Sequence, residues 1–384
     1  MQDPYSRSVG SASFSILLAS LRYAALTVLL SSCSANLPVQ RDAQQAEDGV
    51  RPPAFSIVCI IHGDGDYLFH DTSGIAYNAA LEALAGAQSI ARLNPQAEVF
   101  IFHRRAREHF LFVFPRHDGE FYYYRNGQLI ANELYWRDQE QSPFDPEVEL
   151  YRRFRENNER KTVSIFLYCG HEIPEFDGAG YDESYPDRPF TVHDLAGTLK
   201  AFTRDSARFD LMLLSTCFGG TPYTIGILGS FARYIVASPE NLHLSYFNLQ
   251  PLQRLDLTLG DGDVHAFAEK FARRSFDRLT KEIQTAVSVG VYDVDRVQEF
   301  LHSVHGTYDE TLSTLEGEGE AYMTAMEHCD CADLPAYVLP TMGEGVNVFY
   351  RPARFGRAKH KQTHSGWECW RYATEPGLRE MGQR

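Results

Sequence analysis

The run Phe209-Asp210-Leu211-Met212-Leu213-Leu214-Ser215-Thr216-Cys217-Phe218-Gly219-Gly220-Thr221-Pro222 constrains the fold more than any other stretch of the chain. Apolar residues from Phe209 to Leu214 read as a strand buried on both faces, as in a parallel sheet covered by helices on either side. Thr221-Pro222 then opens a helix, with a hydroxyl cap and Pro at its first position. Cys217 is left at the strand exit, the edge at which open α/β sheets bind ligands. A second run, Thr162 to Glu172, repeats the arrangement and puts His171 at the end of another buried strand. If the two strands are neighbours, a thiol and an imidazole meet at one edge, a pair able to make a nucleophilic thiolate.

Elements of both periods surround these two runs. Phe55 to Ile61 reads as a buried first strand, followed by the tight loop His62-Gly63-Asp64-Gly65-Asp66. Ile75 to Leu93 has Ala and Leu at helical spacing, and Glu98 to His103 is the next strand, which together make a β-α-β unit. Asp118-Gly119 suggests a hairpin between Phe110–Phe114 and Glu120–Tyr124, with a second turn signal at Asn126-Gly127. Helices are expected over Pro146–Asn157, Val192–Phe202 with Thr191 and Asp194 as a capping box, Pro222–Ala232 and Val264–Ile283. A strand is expected at Val346 to Tyr350.

The amino terminus reads as an address. Arg7 and Arg22 precede the apolar run Tyr23 to Leu30, which is shorter than the roughly 20 residues needed to cross a bilayer. It ends Leu30-Ser31-Ser32-Cys33, which resembles the lipobox of bacterial lipoproteins, where the Cys is acylated and becomes the mature amino terminus. That resemblance implies an exported protein anchored by lipid at Cys33, in a bacterial outer membrane or cell envelope; ordinary secretion with cleavage near Ser32 is the alternative. Residues 34–54 are polar and Pro-containing and read as a flexible tether. The formal net charge of -15 argues against a nucleic-acid partner, because phosphate binding draws on clustered Lys and Arg.

Seven cysteines occur, at 33, 59, 169, 217, 329, 331 and 369. Cys59 and Cys169 fit the core of apolar strands. Cys329-Asp330-Cys331 lacks flanking His at zinc spacing, and Asp64, Asp66, Asp261 and Asp263 fall short of a calcium loop. No metal and no cofactor is expected.

Several of these pieces, in this order, resemble the clostripain family of cysteine peptidases in the caspase-like clan. They are Val58 to Leu68, the His171 and Cys217 strands, Thr285 to Val294, Gly345 to Pro352 and Thr363 to Trp367. The resemblance implies a caspase-like mostly parallel sheet with helices on both faces. It gives a catalytic domain at 55–284 and a C-terminal α+β extension at 285–384 packed on it. It also implies a cysteine endopeptidase acting on peptide or protein substrates. Cys217 would be the nucleophile and His171 the proton carrier, with backbone N–H groups of Glu172 and Cys217 as the oxyanion hole.

Two departures from the family matter. Gly170 precedes His171 where the family has His then Gly, which keeps His62, in His62-Gly63, as an alternative base. Ser215 stands where the family has the Asp of a pocket for Arg or Lys; a neutral hydroxyl does not offset the desolvation of a guanidinium, so Glu240 is the substitute acid to consider. The same departures motivate a second reading, a lipid-anchored binding protein that keeps the sheet without proteolysis. A third is acyl transfer on the same dyad.

Overall fold

The computed structural model describes residues 52–65, 67–70, 73–111, 113–138, 142–155, 162–203, 208–242, 247–256, 259, 263–297, 345–360 and 367. The expected signal peptide with Cys33, most of the tether, Asp66, Asp261 and the cysteines at 329, 331 and 369 lie outside the described residues.

Thirteen described strands alternate with five α-helices. The strands are β1 (Phe55–Gly63), β2 (Leu68–His70), β3 (Ala76–Asn78), β4 (Ala97–Arg105), β5 (His109–Phe110), β6 (Phe114–Pro115), β7 (Gly119–Arg125), β8 (Gln128–Tyr135), β9 (Val163–Cys169), β10 (Phe209–Ser215), β11 (Ala232–Ala237), β12 (Val287–Asp293) and β13 (Val346–Arg351). The helices are α1 (Ala79–Leu93), α2 (Asp145–Phe154), α3 (Val192–Phe202), α4 (Pro222–Leu228) and α5 (Asp263–Glu282).

Nine strands form one sheet in the order β13-β12-β11-β10-β9-β1-β4-β7-β8. The five central strands, β11 to β4, run parallel, and both flanks are antiparallel. Central strands of this kind must be covered on both faces, and they are. Ile57, Cys59 and Ile61 of β1 pack with Ala83, Ala87 and Ile90 of α1 and with Ala268, Phe271 and Leu279 of α5. Val58 and Ile60 face the other way, with Leu195 and Leu199 of α3 and Ile225 of α4. The mostly parallel sheet with helices on both faces is as the apolar runs predict. Strands β12 and β13 from the C-terminal third belong to this same sheet, edge to edge with β11.

Local expectations change: α1 starts at Ala79 rather than Ile75, with Ala76–Asn78 forming β3, and α2 ends at Phe154 rather than Asn157. Asp118-Gly119 does not turn a hairpin, because Asp118 is drawn inward: its carboxylate accepts from the Arg137 backbone N–H at 2.9 Å and from the Tyr185 hydroxyl. The β7–β8 hairpin instead turns at Asn126-Gly127, whose φ values of 51° and 73° suit a tight two-residue turn. Helix α4 stops at Leu228, four residues short of expectation. A 3₁₀ turn over Gly229–Phe231 follows, and Ala232 already starts β11. Helix α3 has the expected bounds, and the Asp194 carboxylate accepts from both the N–H and the hydroxyl of Thr191, at 2.8 and 2.9 Å.

Candidate active site

Strands β9 and β10 are direct parallel neighbours, with Ser215 opposite Cys169. Two residues beyond each member of that pair stand Cys217 and His171, so the two side chains leave the sheet at the same level. The register behind them is pinned. Asp210 Oδ2 accepts from Ser164 N–H at 2.8 Å and from Ser164 Oγ at 3.0 Å, and Asp210 N–H donates to Ser164 Oγ at 3.2 Å. A slip by one residue would break all three bonds and turn every apolar side chain to the wrong face. At the exit, Thr216 Oγ1 donates to the His171 carbonyl at 2.6 Å and joins the two loops directly. Gly170 is needed there: a Cβ on it would lie 2.6 Å from the Tyr168 hydroxyl and 3.0 Å from His62 Cβ.

Beyond Cys217 the chain turns sharply. Phe218 takes a φ of 51°, a left-handed value that costs a bulky side chain energy and has to be held by its surroundings. Its N–H donates to the Glu240 carbonyl at 3.0 Å, and Gly220 N–H donates to the Ser238 carbonyl at 2.8 Å. The Gly220 carbonyl in turn accepts from the Tyr292 hydroxyl at 2.8 Å and from Trp367 Nε1 at 2.7 Å. The turn around the thiol is thus clasped by the loop after β11, by Tyr292 of β12 and by Trp367.

The thiol itself faces the loop after β11. Cys217 Sγ donates toward Asn241 Oδ1 at 3.1 Å and the Leu242 carbonyl at 3.2 Å, and accepts from the Leu242 N–H at 3.3 Å. Burial pushes its pKa up to about 11; the Leu242 N–H pulls it down and the charge of Glu172 pushes it up. In this arrangement Cys217 is a protonated thiol, and among the described residues no hydrogen bond joins it to His171.

His171 is 27% exposed, and its Nε2 lies 3.4 Å from Asp64 Oδ1. The same oxygen is 3.1 Å from Nε2 of the buried His62. Burial alone would raise the Asp64 pKa, but contacts from His171 and His62 and the Glu183 N–H outweigh it and hold the carboxyl well below the usual range. Burial pushes His62 down to about 3 despite Asp64 beside it, so His62 is a neutral imidazole. The ring of Tyr181 stacks on His62 at 4.6 Å and on His171 at 5.4 Å between centroids. Asp64 was within reach of sequence reasoning only as a loop acid. The signal for its place is topological: β1 pairs with β9 through Ile61 and Cys169, so the loop after β1 opens beside His171.

The remaining candidates are placed as follows. Glu172 is partly buried, and burial raises its pKa while His171 lowers it. The Ser215 side chain is fully buried, and its Oγ accepts from the Phe247 N–H at 2.9 Å. Glu240 is fastened through its backbone carbonyl to Phe218 and, at 2.8 Å, to the Ser238 hydroxyl. Cys59 and Cys169 are buried free thiols, and burial pushes the Cys169 pKa up to about 12. An acid not singled out from the sequence, Glu175, accepts from the Thr221 and Thr224 hydroxyls at the start of α4; burial pushes its pKa up to about 7.

No family model and no curated protein matches the chain. Solved structures do. A secreted C11 cysteine protease from Bacteroides thetaiotaomicron, in complex with an irreversible peptide inhibitor, is 12% identical with a TM-score of 0.45, over 68% of this chain and 70% of that one. An inactive zymogen C11 protease from Parabacteroides distasonis is 13% identical with a TM-score of 0.47, over 84% and 82%. A further structure of a secreted C11 cysteine protease from Bacteroides thetaiotaomicron is 10% identical with a TM-score of 0.46, over 68% and 71%.

Proposed function

We propose that the chain is a cysteine endopeptidase that cleaves peptide bonds through Cys217 and His171, exported and lipid-anchored at Cys33. The observation that supports this most is the pairing of β9 with β10, which sends both side chains out of one sheet edge at one level, with Thr216 linking them. The Cys217 sulfur attacks the peptide carbonyl and forms an acyl-enzyme, its own proton passing away through His171. The imidazolium then gives a proton to the leaving amine, and water hydrolyses the thioester. Asp64 on Nε2 orients the ring and leaves Nδ1 as the nitrogen that exchanges protons. The Glu172 N–H, which has no acceptor among the described residues, and the Cys217 N–H serve the oxyanion. His62, buried and neutral, suits a supporting role behind Asp64 better than that of base.

The high thiol pKa fits a mechanism in which substrate displaces the sulfur from Asn241 and Leu242 before it ionises. Ser215 is committed to Phe247 and offers no charge to a basic residue, so selectivity for Arg or Lys is not part of the proposal. No helix among the described residues is long and apolar enough to cross a membrane. The lipid at Cys33 is the proposed attachment, tested by palmitate-analogue labelling that Cys33→Ala abolishes.

The test of the activity is hydrolysis of a mixed fluorogenic peptide library by the protein, with Cys217→Ala and His171→Ala alongside. Turnover lost in both variants supports the dyad. The engagement of the thiol by Asn241 and Leu242 favours one other reading, a binding protein on the same scaffold. Absence of turnover together with Cys217 alkylation no faster than that of a denatured-state thiol selects it.

A further inference from the structure

The strand exits of β1 and β9 bring together a group that peptide cleavage does not require in full. His62, Asp64 and His171 each offer one ligand atom, and the three atoms lie within 4.8 Å of one another. Asp64 Oδ1 is 3.1 Å from His62 Nε2 and 3.4 Å from His171 Nε2. Donor atoms around a tetrahedral zinc ion, with bonds of 2.0–2.2 Å, stand about 3.4 Å from one another. The two separations from Asp64 therefore match edges of such a tetrahedron, and the separation of the two imidazole nitrogens is bounded by 4.8 Å. Both ring nitrogens of the fully buried His62, and Nε2 of His171, are enclosed and make no well-formed hydrogen bond, so the short contacts to Asp64 do not satisfy them. Buried imidazoles left in that state are unusual and call for a partner.

The surroundings have the features of a supported ligand set. Asp64 accepts from the Tyr67 hydroxyl at 2.9 Å and from the Glu183 backbone N–H, which fix the plane of the carboxylate. Tyr181 stacks on both imidazoles and fixes their tilt. His62 and the Asp64 side chain are closed to solvent while the His171 side chain is 27% exposed, so His171 forms the solvent side of the group.

We propose that His62 Nε2, Asp64 Oδ1 and His171 Nε2 form a binding site for one divalent transition-metal ion of the zinc type. Two neutral imidazoles and one carboxylate suit zinc or cobalt, and they are too few oxygens for calcium or magnesium. The consequence for catalysis rests on the proposed role of His171. An imidazole metallated at Nε2 carries a single proton, on Nδ1, and cannot become the imidazolium that delivers a proton to the leaving amine. Metal occupancy is therefore a reversible off-state of the peptidase.

The test is a Co²⁺ titration of the protein carrying Cys217→Ala, which removes the competing thiol, read by visible absorption and by equilibrium dialysis. The expected result is one Co²⁺ per chain with the intense visible band of a four-coordinate ion, displaced by Zn²⁺. His62→Gln, which retains most of the ring's volume, and Asp64→Asn should each lower the affinity at least tenfold. Thermal unfolding without metal establishes that both variants are folded. Equal affinity in either folded variant overturns the proposal, as does a site that disappears with Cys217→Ala alone, since that site belongs to the thiol. Binding is read without turnover, so a protein that never cleaves a peptide leaves this result standing, and the two proposals fail separately.

Discussion

Thr216 Oγ1 donates to the backbone carbonyl of His171 at 2.6 Å, so the residue before the candidate nucleophile holds the loop of the candidate proton carrier. Thr216 is buried, and Thr216→Val leaves that carbonyl without its donor at a cost of about 1–2 kcal/mol. It also frees two loops whose mutual position matters to within an ångström. The expected outcome is a roughly tenfold fall in kcat on a library-selected peptide, with Thr216→Ser restoring it.

Asp64 reaches His171 and His62 with one oxygen. Asp64→Asn keeps the shape but removes the charge that orients the ring. By analogy with loss of the orienting carboxylate in a catalytic triad, kcat falls on the order of 10²–10⁴-fold while KM changes little. A variant with unchanged kcat would assign Asp64 to packing alone.

The unliganded thiol is expected to titrate high. With Cys217 pushed up to about 11 by burial, alkylation by iodoacetamide should climb steadily from pH 7 to 10 without a plateau. A plateau below pH 8 would show instead a thiolate already paired with His171 before substrate arrives.

Much of this site was legible because it is local. An apolar run that stops at a Cys, followed by Gly-Gly-Thr-Pro, defines a strand, its exit and the next helix in fourteen consecutive residues, and the His171 run defines a strand and its exit in eleven. What was not legible depends on which strands become neighbours. Asp64 matters because β1 lies between β4 and β9 in the sheet, an order that chain sequence does not dictate. The misplaced hairpin has a similar origin. Asp118-Gly119 and Asn126-Gly127 are equivalent turn signals locally, and the buried partners Arg137 and Tyr185, distant in the chain, decide between them. The fully buried Ser215 side chain and the carboxyl of Glu175 likewise take their roles from partners that only tertiary packing supplies.

Glu175 ties stability to pH. Its folded pKa, raised from 4.5 to about 7, means that the folded state binds a proton more tightly than the unfolded chain, so this contribution is full below pH 4.5 and is lost as pH rises toward 7. The side chain keeps some exposure, which screens the effect, and the expected loss is on the order of 2 kcal/mol. Glu175→Gln, with the Thr221 and Thr224 hydroxyls still able to donate, should flatten the difference between urea midpoints at pH 5 and pH 8. A variant with the parent's pH dependence would remove Glu175 as its source.

Trp367 and Tyr292 donate to the same Gly220 carbonyl. Trp367→Phe and Tyr292→Phe are each expected to cost about 1 kcal/mol, since the other donor still satisfies the oxygen. The double variant should cost more than the sum, because it alone leaves a buried carbonyl bare. Strictly additive urea midpoints would show that the two donors act independently.

The bond from Trp367 to Gly220 spans 147 residues. During synthesis, Gly220 emerges 147 residues ahead of Trp367, so the turn that presents the thiol acquires this brace late. A chain that assembles in that order carries the edge with Cys217 and His171 without this brace while neighbouring nascent chain is within reach. Truncated products ending before Trp367 keep every residue of the dyad and lack the brace.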